Sequence, residues 1–416
     1  MRTGVASLPL HGGHCPPWLF ERMKRLAVAI IEVIVQEFGP QEVLRRLSDP
    51  FWFQAFGCVL GFDWHSSGLT TTVCGALKEG LRGREKDVGL IIAGGKGRTS
   101  RQAPSEIAAA ADKHALTLDP GYLIFASRMA AKVDNTALQD GYQLYHHVFV
   151  FTFDGQWAVV QQGMNEATRL ARRYHWLGER LKDFVCDPHA AVCCDQKGFA
   201  LNLVARESEQ ARQVVTELAR EKPEKVVKEY RRILERLPSN SEKVLLETPA
   251  LLNRECPLGE AKGVFSGGPG GLELPGDGQL TLWDTVEYTS QFNQPALLQL
   301  PWRHDLPRAE YLNQALLKLY ASQPVDFISV LGIEGIGPKT LRALALVSEV
   351  AFGAPASFRD PVKYSFSHGG KDGHPYPVDR RLYDRSIAIL EKALTEAKVG
   401  RSEKMDALRR LAHLAR

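Results

Sequence analysis

The stretch Leu331–Leu346, reading LGIEGIGPKTLRALAL, sets a Gly-x-Gly turn between two apolar segments. Gly335 and Gly337 frame Ile336, and Pro338 and Lys339 follow directly. Proline suits the first turn of a helix, where its missing N–H would find no partner in any case. Glycine permits a tight turn and lets a ligand approach the backbone closely. A helix is therefore predicted to start at Pro338, with free N–H groups and the positive end of its dipole pointing outward. Such a terminus attracts anions. The plainer reading of the same letters is an ordinary turn between two helices, with glycines serving geometry alone.

The G-[IV]-G-x-K-[TS] pattern resembles a helix-hairpin-helix, a sequence-independent grip on the DNA backbone. On that resemblance Gly335, Ile336, Gly337, Lys339, Thr340 and Arg342 are DNA-binding candidates, joined further along by Lys371 and Arg380. Charge placement agrees. From Pro295 to Arg416 there are 18 Lys/Arg against 13 Asp/Glu, whereas the rest of the chain is close to neutral. A modest basic excess thus accompanies the turn, as a phosphate-binding segment requires.

At 416 residues, 44% hydrophobic and 24% charged, the chain can form two or three domains with substantial cores. Its opening does not resemble a signal peptide. The early apolar run Leu26–Val35 is interrupted by Glu32 and is too short for a bilayer. A cytoplasmic protein without a membrane partner is expected. Seven scattered cysteines, an odd number, point to reduced thiols rather than a disulfide framework.

The fold class expected is α+β. Residues 1–205 read as a mixed domain: helical spacing over residues 18–38, a new helix from about Gln41, and a β-hairpin turning at Asp154-Gly155 between His147–Phe153 and Gln156–Gln162. Residues 206–279 read as a solvated, charged helical connector followed by a Gly/Pro-rich linker. Residues 280–416 read as an all-helical domain carrying the Gly-x-Gly turn.

Two further clusters carry candidate chemistry. Asp134, Asp140, His146 and His147 lie beside the β-hairpin and could hold Mg or Mn as a nuclease site. They could equally be buried polar residues that pair internally, since no second carboxylate appears in WAVVQQG. Weaker candidates for metal ligands are Asp63 and His65 in the FDWHSS loop, Asp140 and His146, and the irregularly spaced Cys186, His189 and Cys193.

Downstream of the turn, a Gly/Pro-rich loop ends in PYPVDR, with Asp379 placed to cap a following helix. Together with the turn, this resembles the helix-hairpin-helix-GPD superfamily of DNA glycosylases and glycosylase/AP lyases. The resemblance implies Lys339 as a Schiff-base lysine and Asp379 as an essential carboxylate, acting on duplex or damaged DNA without a cofactor. The two lie 40 residues apart, longer than in the bacterial endonuclease III type, and the excess is KYSFSHGGKDGH. Nearly the whole chain is also similar to an uncharacterised bacterial and archaeal family sharing RTGxAxLPLHGG, FGCxLGFDWHSSG and HGGKDGxPYPVDR. The expected function is a DNA-processing enzyme, with glycosylase or lyase chemistry. The alternatives are a metal-dependent nuclease and a non-enzymatic DNA-binding protein.

Overall fold

Side-chain alternation along three neighbouring strands decides the architecture. The computed structural model describes residues 15–62, 67–116, 119–194, 198–236 and 306–362, and single positions between 392 and 407. In it β3 (Gln143–Thr152), β4 (Trp157–Asn165) and β5 (Leu170–Leu177) run antiparallel. Successive side chains leave a strand on opposite faces. Phe149, Phe151, Trp157, Val159 and Trp176 therefore enter one core. Val148, Val150, Ala158, Val160 and Leu177 enter another. A sheet covered on both faces reads as near-continuous apolar runs, as these strands do. β1 (Leu90–Lys96) and β6 (Ala191–Cys193) complete the sheet in the order β1-β3-β4-β5-β6. The expected β-hairpin turn stands at Asp154-Gly155, closed by Thr152 N–H donating to the Gln156 carbonyl at 2.9 Å.

Helices α1 (Pro17–Phe38), α2 (Pro40–Ser48), α3 (Pro50–Val59) and α4 (Gly68–Gly80) contribute to the second core. Each of the first three has proline in its first turn, and the Asp49 carboxylate caps α3 by accepting from Phe51 and Trp52 N–H. Short α5 (Glu85–Val88) leads into β1. The first core is built with α6 (Ala103–His114), α7 (Pro120–Lys132), α8 (Glu209–Arg220), α9 (Pro223–Arg236), α10 (Ala309–Ser322), α11 (Phe327–Gly332) and α12 (Pro338–Phe352). A second sheet joins β2 (Leu138–Gln139), β7 (Phe199–Asn202) and β8 (Ser357–Arg359) in the order β2-β7-β8.

The α+β class with antiparallel sheets stands. Two expectations need correction. Helices α8 and α9 are not a solvated connector: Ala211, Val215 and Leu218, then Val226, Tyr230 and Ile233, are buried in the core that also receives α10–α12. Their exposed faces hold the charges, while the stripe at helical spacing faces inward. The described part of 280–416 is also not all-helical, because β8 follows α12 and pairs with β7. Residues 237–305, which include the Gly/Pro-rich linker, lie outside the described residues. Among the described residues, no helix is long and apolar enough to cross a membrane.

Candidate functional site

Helices α11 and α12 flank the turn Ile333–Gly337, as the sequence predicts. Ile336 is buried in the core and anchors it. Gly335 adopts φ +88°, in the left-handed region that favours glycine, and a β-carbon there would lie 2.8 Å from the Lys318 ammonium. Gly337 differs. It caps α12 with an extended backbone, φ −125° and ψ −176°, and nothing lies within 4 Å of where its β-carbon would be. No contact within the described protein requires a glycine there.

Three ammonium groups surround the turn. Lys339 and Lys318 are exposed, and neither forms an ion pair among the described residues. Lys132, at the end of α7, donates to the Ile336 carbonyl at 2.8 Å. Burial pulls its pKa down, opposed by nearby Glu334. Gln139 donates to the Pro338 carbonyl at 2.9 Å. The turn is thus latched through the carbonyls of Ile336 and Pro338. Of the other DNA-binding candidates, Thr340 and Arg342 are buried and so are not placed to meet a backbone phosphate. Lys371, Arg380 and Asp379 lie outside the described residues, as do Asp63 and His65.

Between Lys132 and Gln139 the chain makes one π-helical turn, Val133–Ala137, a feature frequent at functional sites. It buries Asp134 completely. One carboxylate oxygen accepts from Gln161 Nε2 at 2.6 Å and Trp176 Nε1 at 2.9 Å, and the other lies 2.5 Å from His189 Nε2. Gln161 Oε1 meets His147 Nδ1 at 2.7 Å, and His147 Nε2 meets Ser127 Oγ at 2.9 Å. Burial pushes the His147 pKa down, partly offset by Gln161 and Asp134.

Asp140 sits in a second buried network. It accepts from Arg172 at 2.8 Å, the Tyr174 hydroxyl at 2.7 Å and Tyr142 N–H at 3.1 Å; Arg172 also bridges to Asp360 at 2.8 Å. Burial pushes the Asp140 carboxyl up, and Arg172 opposes that. His146 is fully buried with neither ring nitrogen bonded, and burial drives its pKa to about 3, with His147 and Lys96 adding to the shift. The four nuclease candidates therefore divide. Asp134 and His147 share one network, Asp140 belongs to another, and His146 bonds to neither. Among the described residues, no group of three or more His, Cys, Asp or Glu is placed to hold a metal, so Cys186, His189 and Cys193 do not converge as ligands.

A family model described as "Protein of unknown function (DUF763)" matches residues 4–378. The chain belongs to this family. No curated protein and no solved structure matches it. The DUF763 match takes in both sheets, the Asp134 network and the glycine turn as one span, and it carries no activity with it.

Sequence reasoning missed Lys318 as a neighbour of the turn and the pairing of Asp134 with His189. Lys318 lies 17 positions before Gly335 on a different helix, and His189 lies 55 positions after Asp134. Only the helical spacing of α10 held a signal, because it places Lys318 on the face opposite buried Leu312, Leu316 and Leu319.

Proposed function

We propose that this protein binds the backbone of duplex DNA through the Gly335–Gly337 turn and the start of α12, as part of a DNA-processing role. The observation that carries the reading is Gly337, a glycine in ordinary extended backbone with open space around its missing side chain. A phosphate seated there meets the amide groups that begin α12 and the positive end of its dipole. Lys339 on α12 and Lys318 across the turn supply two cations that form no ion pair among the described residues. Backbone amides and ammonium groups read phosphate rather than base edges, so binding is expected to be indifferent to sequence.

Lyase chemistry at Lys339, with Asp379 as its carboxylate, is the finer form of this proposal and rests on the glycosylase resemblance. The exposed position of Lys339 suits phosphate contact directly. The binding test is the salt dependence of affinity for a duplex of random sequence. Each phosphate neutralised contributes about 0.9 to the log–log slope, so Lys318→Gln and Lys339→Gln together are expected to lower it by about 1.8. A slope unchanged in the double variant refutes the assignment.

A further inference from the structure

Where β8 meets the segment before β6, a cleft of about 150 Å³ opens, lined by Asp187, His189, Asn202, Arg359 and Asp360 among others. The His189 imidazole is fixed at its wall. Its Nε2 meets the Asp134 carboxylate at 2.5 Å, and the Trp176 ring packs edge-on with centroids 4.8 Å apart. Its Nδ1 has no hydrogen-bond partner among the described residues, yet is not sealed from solvent.

Two hydrogen-bond donors are fixed on one oxygen of Asp134. Gln161 Nε2 touches two groups that only accept, the Asp134 carboxylate and the Ala130 carbonyl, so its amide orientation is determined. Trp176 Nε1 only donates. Asp134 Oδ2 thus accepts two N–H bonds while Oδ1 faces His189 Nε2, an arrangement in which an ionised Asp134 takes the imidazole proton on Nε2. The Nδ1 lone pair is then left on a ring that lines the cleft. A carboxylate behind an imidazole fixes its tautomer and stabilises the imidazolium once the ring takes a second proton.

We propose that His189 is a general base that activates water against a phosphodiester bound in this cleft, with Asp134 as its positioning residue. Arg359 lines the cleft; its guanidinium pairs with Glu207 at 3.1 Å through one nitrogen, and its remaining N–H groups match a phosphate. Asp360 does not oppose an anion strongly, since Arg172 and the Gly198 and Val362 amides occupy its oxygens. Water oxygen bonds to phosphorus while its proton passes to His189 Nδ1. The phosphorus–oxygen bond to the leaving group breaks, and that oxygen departs with the electron pair and is protonated by solvent where it needs a proton. His189 returns its proton to bulk water. The choice of a phosphodiester rests on the DNA-binding reading, whereas the base and its orientation do not.

The test is release of p-nitrophenolate from bis(p-nitrophenyl) phosphate by the full chain. This ester is too small to need the glycine turn, so its result and the DNA-binding result fall independently. Wild type is expected to release product above buffer, and His189→Gln to lose about 100-fold or more in kcat with its unfolding midpoint held. Asp134→Asn, if it folds, is expected to lower kcat while KM holds, because the wrong tautomer is then stabilised. No release by wild type, or undiminished release by a folded His189→Gln, overturns the proposal.

Discussion

Gly337→Asp separates a phosphate site from a mere turn, because the two readings give opposite signs. Gly337 already has the extended backbone of an N-cap, and its β-carbon position is empty. Aspartate is a favoured cap, better than glycine by a few tenths of a kcal/mol. Losing glycine's freedom in the unfolded chain adds about 0.4–1 kcal/mol. The carboxylate at the positive dipole end adds about 0.3–1 kcal/mol. The fold is therefore expected to gain roughly 1–2 kcal/mol. DNA meets the same carboxylate as an obstacle. Two like charges about 4 Å apart repel by about 1 kcal/mol in bulk water and about 4 kcal/mol at a protein surface. Affinity is then expected to fall between about 5-fold and 1000-fold, with the gap narrowing as salt screens it. Fluorescence anisotropy on a labelled duplex at several salt concentrations, with urea unfolding alongside, reads both effects. Gly337→Ser isolates the β-carbon from the charge and is expected to weaken binding less. Equal affinity of Gly337→Asp and wild type at every salt concentration would show that the turn only connects two helices.

Lys339→Gln is expected to abolish any borohydride-trapped crosslink to abasic-site DNA, since the amine that forms the imine is gone; a crosslink that survives places lyase chemistry elsewhere. His146 gives a pH effect with a definite sign. Its folded pKa is depressed from 6.5 to about 3, so its contribution to stability is complete above pH 6.5 and is lost as pH falls towards 3, by about 1.4 kcal/mol per unit. Urea midpoints measured down this range are expected to fall more gently in His146→Gln, and matching slopes would count against burial as the cause. Asp140→Asn strips Arg172 of one of its two carboxylate partners and is expected to cost about 3–5 kcal/mol, read by chemical denaturation. Mn²⁺ or Mg²⁺ is expected to leave the wild-type unfolding midpoint unmoved, whereas a rise would reinstate a metal at this network.

Local signals in the sequence carried the elements whose physics is local. Proline at the start of α1 and α12, the Asp154-Gly155 turn and the apolar face of residues 18–38 each declare themselves within a few residues. The strand β5 did not. Its LARRYHWL sequence buries Arg172, Arg173 and His175, which no hydrophobic pattern anticipates. These side chains are tolerated because partners from distant segments meet them: Asp140 and Asp360 for Arg172, Gln54 and Thr70 for Arg173, the Leu47 carbonyl for His175. The charged helices α8 and α9 misled in the opposite direction, since charge density hid the narrow buried stripe. The candidate sites followed the same division. The glycine turn was visible as a motif, while the Asp134–His189 pair exists only once the π-helical turn and the segment before β6 come together.

The strand β8 has a consequence for how such a protein could arise. By pairing with β7 directly after α12, it stitches the glycine turn into a sheet whose other strands come from the first half of the chain. Lys132 and Gln139 tighten that seam by holding the turn's own carbonyls. A turn built in this way cannot be traded between genes as a loose cassette, because lifting it out would leave an open sheet edge and an uncovered apolar face behind. Recombination would have to carry the two halves together. Substitutions at the seam should accordingly be accepted in pairs, one change on the Lys132–Gln139 segment answered by another around the turn.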